Sequence, residues 1–208
     1  MPARVPTELL AGPSRVLRPG DAEHVYAHPR PEFARLERSG ALHRVAAGHY
    51  AVVPDDRVGL SWLPELESVA LGIAVAGGGV ESVALMGLSA ARVHGALPRA
   101  LMVAVVAVTR NRRTLRLADR DAEVLFVRRD VARLDVQRQR TELVEGWVTT
   151  VEQTVLDLAA RPALGGAQEE AKAAVRALLP RADRELLDDL AAGQRRGATL
   201  RRVLRQRD

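Results

Sequence analysis

Arginine is the residue type through which this chain could do chemistry. Of its 31 basic residues only Lys172 is a lysine. A guanidinium stays charged and grips phosphate or guanine edges with a planar fork, so arginine-rich chemistry is anion recognition rather than proton transfer. Two groups have suggestive spacing. Arg30, Arg35 and Arg38 surround the apolar pair Phe33 and Leu36. With that pair facing inward on a helix, the arginines project outward. Arg110, Arg112, Arg113 and Arg116 form the densest basic run. Alternation predicts Arg112, Thr114 and Arg116 on one face of a strand or loop, suited to salt-dependent phosphate contacts or to a protein partner. For both groups a merely solvated face is the alternative.

Other chemistries lack their residues. There is no cysteine, which excludes disulfides, thiolate zinc sites and cysteine nucleophiles. His24 and His28 stand i, i+4, but no HExxH motif or third ligand accompanies them. Ser89 and His94 lie close together without the GxSxG turn of a hydrolase. A metal-dependent nuclease needs carboxylates and a lysine on a strand. Here Asp121 and Glu123 have no lysine after them, and Glu170-Ala171-Lys172 falls in a helical stretch. Gly77-Gly78-Gly79 lacks the GK[ST] ending of a P-loop. No catalytic residue, metal ligand or cofactor is expected, and the chain is read as a non-enzyme.

The elements that must position the arginines follow from composition and punctuation. The chain has 208 residues, 47% hydrophobic and 27% charged. That suits one large domain or two small ones. No apolar stretch is long enough to span a bilayer, and the N-terminus has no apolar signal core. A soluble, cytoplasmic protein with no membrane partner is expected. The net charge of +5 sits centrally, because residues 99–140 alone carry +6. Such an excess speaks to partners, not to fold.

Pro54-Asp55-Asp56 and Gly59 mark a boundary near 54–60, giving domains 1–56 and 60–208. In the first, helices are expected over Pro6–Ala11, Pro19–Ala27 and Glu32–Ser39, with Gly40 as the glycine that ends the last. A hairpin then pairs Leu42–Val45 with His49–Val53. Helix, turn, helix and wing is the winged helix-turn-helix order, in which one helix enters the major groove. Arg44 and His49 would decorate the wing.

In the second, helices are expected over Leu60–Ala76 and Glu81–Val93. Strands follow over Leu101–Val108, Thr114–Leu117, Glu123–Val127, within Val131–Glu142 and at Trp147-Val148. A helix near 150–159, capped by Thr149, leads into three more over Gln168–Leu179, Ala182–Ala192 and Thr199–Arg207. The fold class is α+β: an N-terminal winged helix-turn-helix, then an α+β domain with a small sheet and a helical C-terminal tail.

Three segments carry a family resemblance. Arg35-Leu36-Glu37-Arg38-Ser39-Gly40-Ala41-Leu42-His43-Arg44-Val45, ending in Gly48-His49-Tyr50-Ala51-Val52, is the first. Leu88-Ser89-Ala90-Ala91-Arg92-Val93-His94-Gly95-Ala96-Leu97 is the second. Val148-Thr149-Thr150-Val151-Glu152-Gln153-Thr154-Val155-Leu156-Asp157-Leu158-Ala159 is the third. In order and spacing they resemble the AbiEi-type antitoxins, the regulator halves of abortive-infection toxin–antitoxin pairs. The resemblance implies a DNA-binding N-terminal domain that represses its own promoter through inverted repeats. It implies a second domain that counteracts a nucleotidyltransferase-like toxin. It carries Arg30, Arg35 and Arg38 onto the DNA face, with Arg44 and His49 on the wing. The two prolines of His28-Pro29-Arg30-Pro31 depart from the pattern and bear on base reading by the first helical turn. A nuclease-like protein delivered by a winged helix, or a stand-alone repressor with a ligand in its second domain, are the competing expectations.

Overall fold

The computed structural model describes residues 4–99 and 101–205. The N-terminal part begins with a 3-10 turn over Thr7–Leu10, strand β1 (Val16–Leu17) and a second 3-10 turn over Pro19–Ala22. Helix α1 (Pro29–Arg38) and strands β2 (Leu42–Ala46) and β3 (His49–Val52) follow. The three strands form an antiparallel sheet in the order β1-β3-β2.

Two expected helices are therefore single 3-10 turns. Gly12-Pro13 and Gly20 leave too few good helix formers around them. The second turn is held instead by Arg18 and Asp21, whose side chains meet at 2.6 Å. Strand β1 was not foreseen; two residues are too few to show alternation. Helix α1 starts at Pro29 rather than after Pro31. First-turn amides have no partner within a helix, so prolines there forfeit no bond.

The second part contains α2 (Leu66–Gly78), β4 (Val83–Leu85), α3 (Gly87–Val93), β5 (Val103–Val108), β6 (Leu115–Arg116) and β7 (Glu123–Arg128). Then come β8 (Val136–Arg140), β9 (Glu145–Thr149), α4 (Val151–Ala160), α5 (Gln168–Leu178), α6 (Arg184–Gly193) and α7 (Gly197–Arg205). The strands form one mixed six-stranded sheet in the order β6-β7-β5-β4-β9-β8. Pairs β4–β9 and β5–β7 are parallel and the rest antiparallel. The α+β class holds, with a larger sheet than expected.

Three boundaries moved. Residues 60–65 lie outside any helix or strand, and α2 begins only at Leu66. The expected helix Glu81–Val93 is divided, because Val83–Leu85 is a fully buried strand between β5 and β9. Its apolar residues fit a helical period and a buried strand equally well. Gly87, at φ +56, makes the turn into α3. Thr150, not Thr149, caps α4, accepting from the Gln153 amide.

The layers run α1, small sheet, α2, large sheet, then the C-terminal helices. Phe33 and Leu36 pack with Leu17 and Leu42 on one face of the small sheet. The other face contributes Val16, Val45, Ala46 and Ala51 to the core that α2 shares with the large sheet. Gly72 permits this close approach: a Cβ there would lie 2.3 Å from Val16 Cγ2. Segments on both sides of residues 54–60 thus share one core. Bridges Ser14–Val144 and Ala46–Leu117 join them further.

Candidate nucleic-acid interface

Helix α1 is built to expose arginine. Phe33 and Leu36 are completely buried, and Phe33 meets Tyr50 edge-on at 5.3 Å. Each such burial contributes about 1.5–3 kcal/mol, which fixes the rotation of the helix. Gly40, at φ +78, closes its C-terminus as foreseen, and the Ala41 amide returns to Leu36 O. Arg30, Arg35 and Arg38 are consequently exposed. Arg35 pairs with Glu32 at 2.8 Å, an exposed bond that competes little with a ligand. Arg38 Nε donates to Ala34 O at 3.2 Å.

The hairpin adds Arg44 and His49. Arg44 is exposed opposite Tyr50, on the α1 side of the sheet, and shares a cleft of about 470 Å³ with Glu37, His43, Arg57 and Trp62. His49 is half-buried at the turn, with Nδ1 3.0 Å from Ala47 O. Burial pushes its pKa below the usual histidine value, and the charges of Arg112 and Arg18 push the same way. At neutral pH His49 is therefore a hydrogen-bonding group rather than a cation.

The arginine run beside the hairpin is not uniform. Its strand is only Leu115–Arg116, so Arg112 lies in the loop before it and is less exposed than Thr114 and Arg116. Arg110, Arg113 and Arg116 are exposed. Arg112 is half-buried, its guanidinium 4.2 Å over the Phe126 ring. Its Nη1 lies 3.5 Å from Ile73 O and Ala74 O near the end of α2. A Cβ on Gly77 would stand 2.7 Å from that nitrogen. The first glycine of the triplet thus makes room for a cation at a helix C-terminus, where the dipole favours it. The Ala118 amide donates to Val45 O at 2.8 Å, fastening this loop to β2. Hairpin and arginine loop are therefore neighbours.

Residues weighed for other chemistry have structural partners. His94 Nε2 contacts Thr149 O at 2.7 Å, and the Ser89 hydroxyl accepts from the Val105 amide. Lys172 lies on α5 and pairs with Glu169. His24 and His28 are exposed outside any helix. No group of three potential metal ligands exists among the described residues. No helix among them is long and apolar enough to cross a membrane.

Two polar constellations escaped sequence reasoning. His43 and Asp119 meet at 2.9 Å across the junction of the two sheets. Burial alone would raise the Asp119 pKa; hydrogen bonds and charge from His43 and Arg120 prevail and hold it down to about 2. In α4, Asp157 is buried with Oδ1 2.7 Å from Arg196 and 3.3 Å from Arg129. On the same helix Glu152 accepts from the Asp183 amide, and Gln153 exchanges hydrogen bonds with Gln194. Helix α4 is thus the tie that holds α6, the turn after it, and the loop after β7.

The fold has a solved counterpart. The crystal structure of the RV2827C protein from Mycobacterium tuberculosis superposes with a TM-score of 0.58 at 20% identity, over 91% of this chain and 73% of that one. At that identity the likeness speaks for the fold alone. No family model and no curated protein matches the chain.

Proposed function

We propose that the chain is a DNA-binding autoregulator of the antitoxin kind: it represses its own promoter and counteracts a nucleotidyltransferase-like toxin. One observation supports the DNA half most strongly. Arg30, Arg35 and Arg38 stand exposed on a helix whose opposite side is locked by Phe33 and Leu36. A rigid helix bearing outward arginines suits the major groove, where a bidentate contact to guanine contributes about 1–3 kcal/mol of discrimination. The order turn, strand, turn, helix, hairpin, with β1 pairing β3, supports reading this part as a winged helix whose first two helices are reduced to single turns. Arg44, Arg110, Arg113 and Arg116 then supply phosphate contacts.

The toxin half rests on the sequence resemblance at residues 35–52, 88–97 and 148–159. It places neutralisation in the part of the chain beyond residue 60.

A promoter-reporter assay in living cells separates the halves. Wild type is expected to repress a reporter driven by the DNA upstream of its own gene, and the Arg30/Arg35/Arg38→Ala triple variant is expected not to. Both are expected to rescue growth when co-expressed with a nucleotidyltransferase toxin encoded beside the gene. Unchanged repression by the triple variant sinks the DNA half; failed rescue by wild type sinks the toxin half.

A further inference from the structure

A second arginine cluster lies far along the chain from α1 and has no part in the reading above. It lines a cleft of about 740 Å³ between the loop after β7 and the turn joining α6 to α7. Arg129, Arg133, Arg195 and Arg196 line it, with Asp130 and Asp189. We propose that this cleft binds an oligophosphate, either an inorganic one or the phosphate chain of a nucleotide.

Three features make it a built site. First, two guanidiniums are held in place from behind. Arg129 and Arg196 both bond Oδ1 of Asp157, whose side chain is only 2% exposed. Their own side chains are 19% and 18% exposed, and both still line the cleft. One carboxylate serving two arginines leaves a positive charge over, and each guanidinium keeps donors to spare. A buried acid that orients an arginine lowers the entropy a ligand must overcome to engage it.

Second, Arg133 and Arg195 are exposed and have no ion-pair partner among the described residues. With Asp157, Asp130 and Asp189 set against the four arginines the cleft keeps one net positive charge, and its several guanidinium forks suit an anion with several phosphate groups better than a single carboxylate.

Third, Arg195 adopts φ +55, alone among the described non-glycine residues in having a positive φ. It follows the last turn of α6, with its amide on Ala192 O and that of Arg196 on Ala191 O. Glycine takes this position without strain. An arginine in this position, lining the cleft, supports assigning its side chain to the ligand.

The test is calorimetric titration of the full chain with tripolyphosphate, ATP and adenosine. Saturable binding of tripolyphosphate and ATP is expected, with none of adenosine. Equal affinities would indicate the phosphate chain alone as the ligand, and tighter ATP a nucleotide; either supports the site. Arg195→Gly and Arg133→Ala are each expected to weaken tripolyphosphate about tenfold. Arg195→Gly removes strain, so its melting temperature should be no lower than wild type, which separates lost contact from lost fold. The Arg30/Arg35/Arg38→Ala variant should bind tripolyphosphate as wild type does, so the proposal stands or falls apart from DNA binding. Absence of saturable binding at millimolar ligand overturns it, as does unchanged affinity in Arg195→Gly. Displacement by random duplex DNA, with the same loss of DNA affinity in Arg195→Gly, would assign the cleft to a DNA surface and overturn it too.

Discussion

At the scale of single residues, the arginines divide into those that hold the protein and those free to hold something else. Arg112 belongs to the first group. It caps α2, lies over Phe126 and fills the space that Gly77 leaves. Arg112→Ala should lower stability by about 1–3 kcal/mol, from the lost helix-end charge and ring contact. Arg113→Ala should stay within about 0.5 kcal/mol of wild type. Urea unfolding of both variants checks this contrast. In DNA titrations Arg113→Ala should instead lower the salt slope by about 1.

His49 makes a prediction about pH. Folding lowers its pKa through burial. The folded state therefore binds the proton less readily than the unfolded chain. Stability linked to His49 is full above about pH 6.5, the unperturbed value, and is lost as pH falls through the folded one. Asp119 acts further down: its contribution persists until pH falls from the ordinary aspartate range toward about 2. Thermal melts between pH 7 and 5 should show a smaller decline for His49→Gln than for wild type. Parallel declines would contradict the assignment. None of this was legible in the sequence, which placed His49 on the wing but not its surroundings. The carbonyl it meets, Ala47 O, is local, but the burial and the charges of Arg112 and Arg18 come from distant segments.

At the scale of elements, legibility followed length and punctuation. Helix α1, its glycine stop and the β2–β3 hairpin were legible, because a Phe33/Leu36 spacing, Gly40 and Gly48 act locally. So were β5 and β7, whose β-branched runs have no competing helical signal. The segment 81–93 misled because Val83, Met86, Ala90 and Val93 fit a helix while Val83–Leu85 is a strand buried on both sides. Helix α4 was legible as a helix but not as a clasp. The partners of Asp157 lie 28 and 39 residues away, beyond any local pattern. That clasp is testable. Asp157→Asn keeps the volume and removes the charge facing Arg129 and Arg196. It should cost about 3 kcal/mol, the low end for breaking a buried pair, since both arginines retain some exposure. Calorimetric unfolding measures it. A loss below about 0.5 kcal/mol would mean the three groups are not coupled.

At the scale of the whole molecule, the N-terminal sheet and the large sheet sandwich α2 in one core. The arginines of α1 and the hairpin are thereby carried on a body that cannot swing freely against residues beyond 60. Shape and charge act together: the basic excess of residues 99–140 is fastened next to the hairpin by the Ala46–Leu117 bridge. On the proposed reading, sequence-independent affinity comes from the arginine loop and sequence preference from α1. These two contributions have different salt dependence. The most direct test is an anisotropy titration of wild type and Arg38→Ala. It uses the DNA upstream of the protein's own gene and a shuffled duplex, each at low and physiological salt. The account predicts that wild type keeps its preference for the upstream DNA at physiological salt, and that Arg38→Ala loses about 1–3 kcal/mol of that preference while binding the shuffled duplex as before. Equal binding of both duplexes by wild type, vanishing together as salt rises, would contradict it.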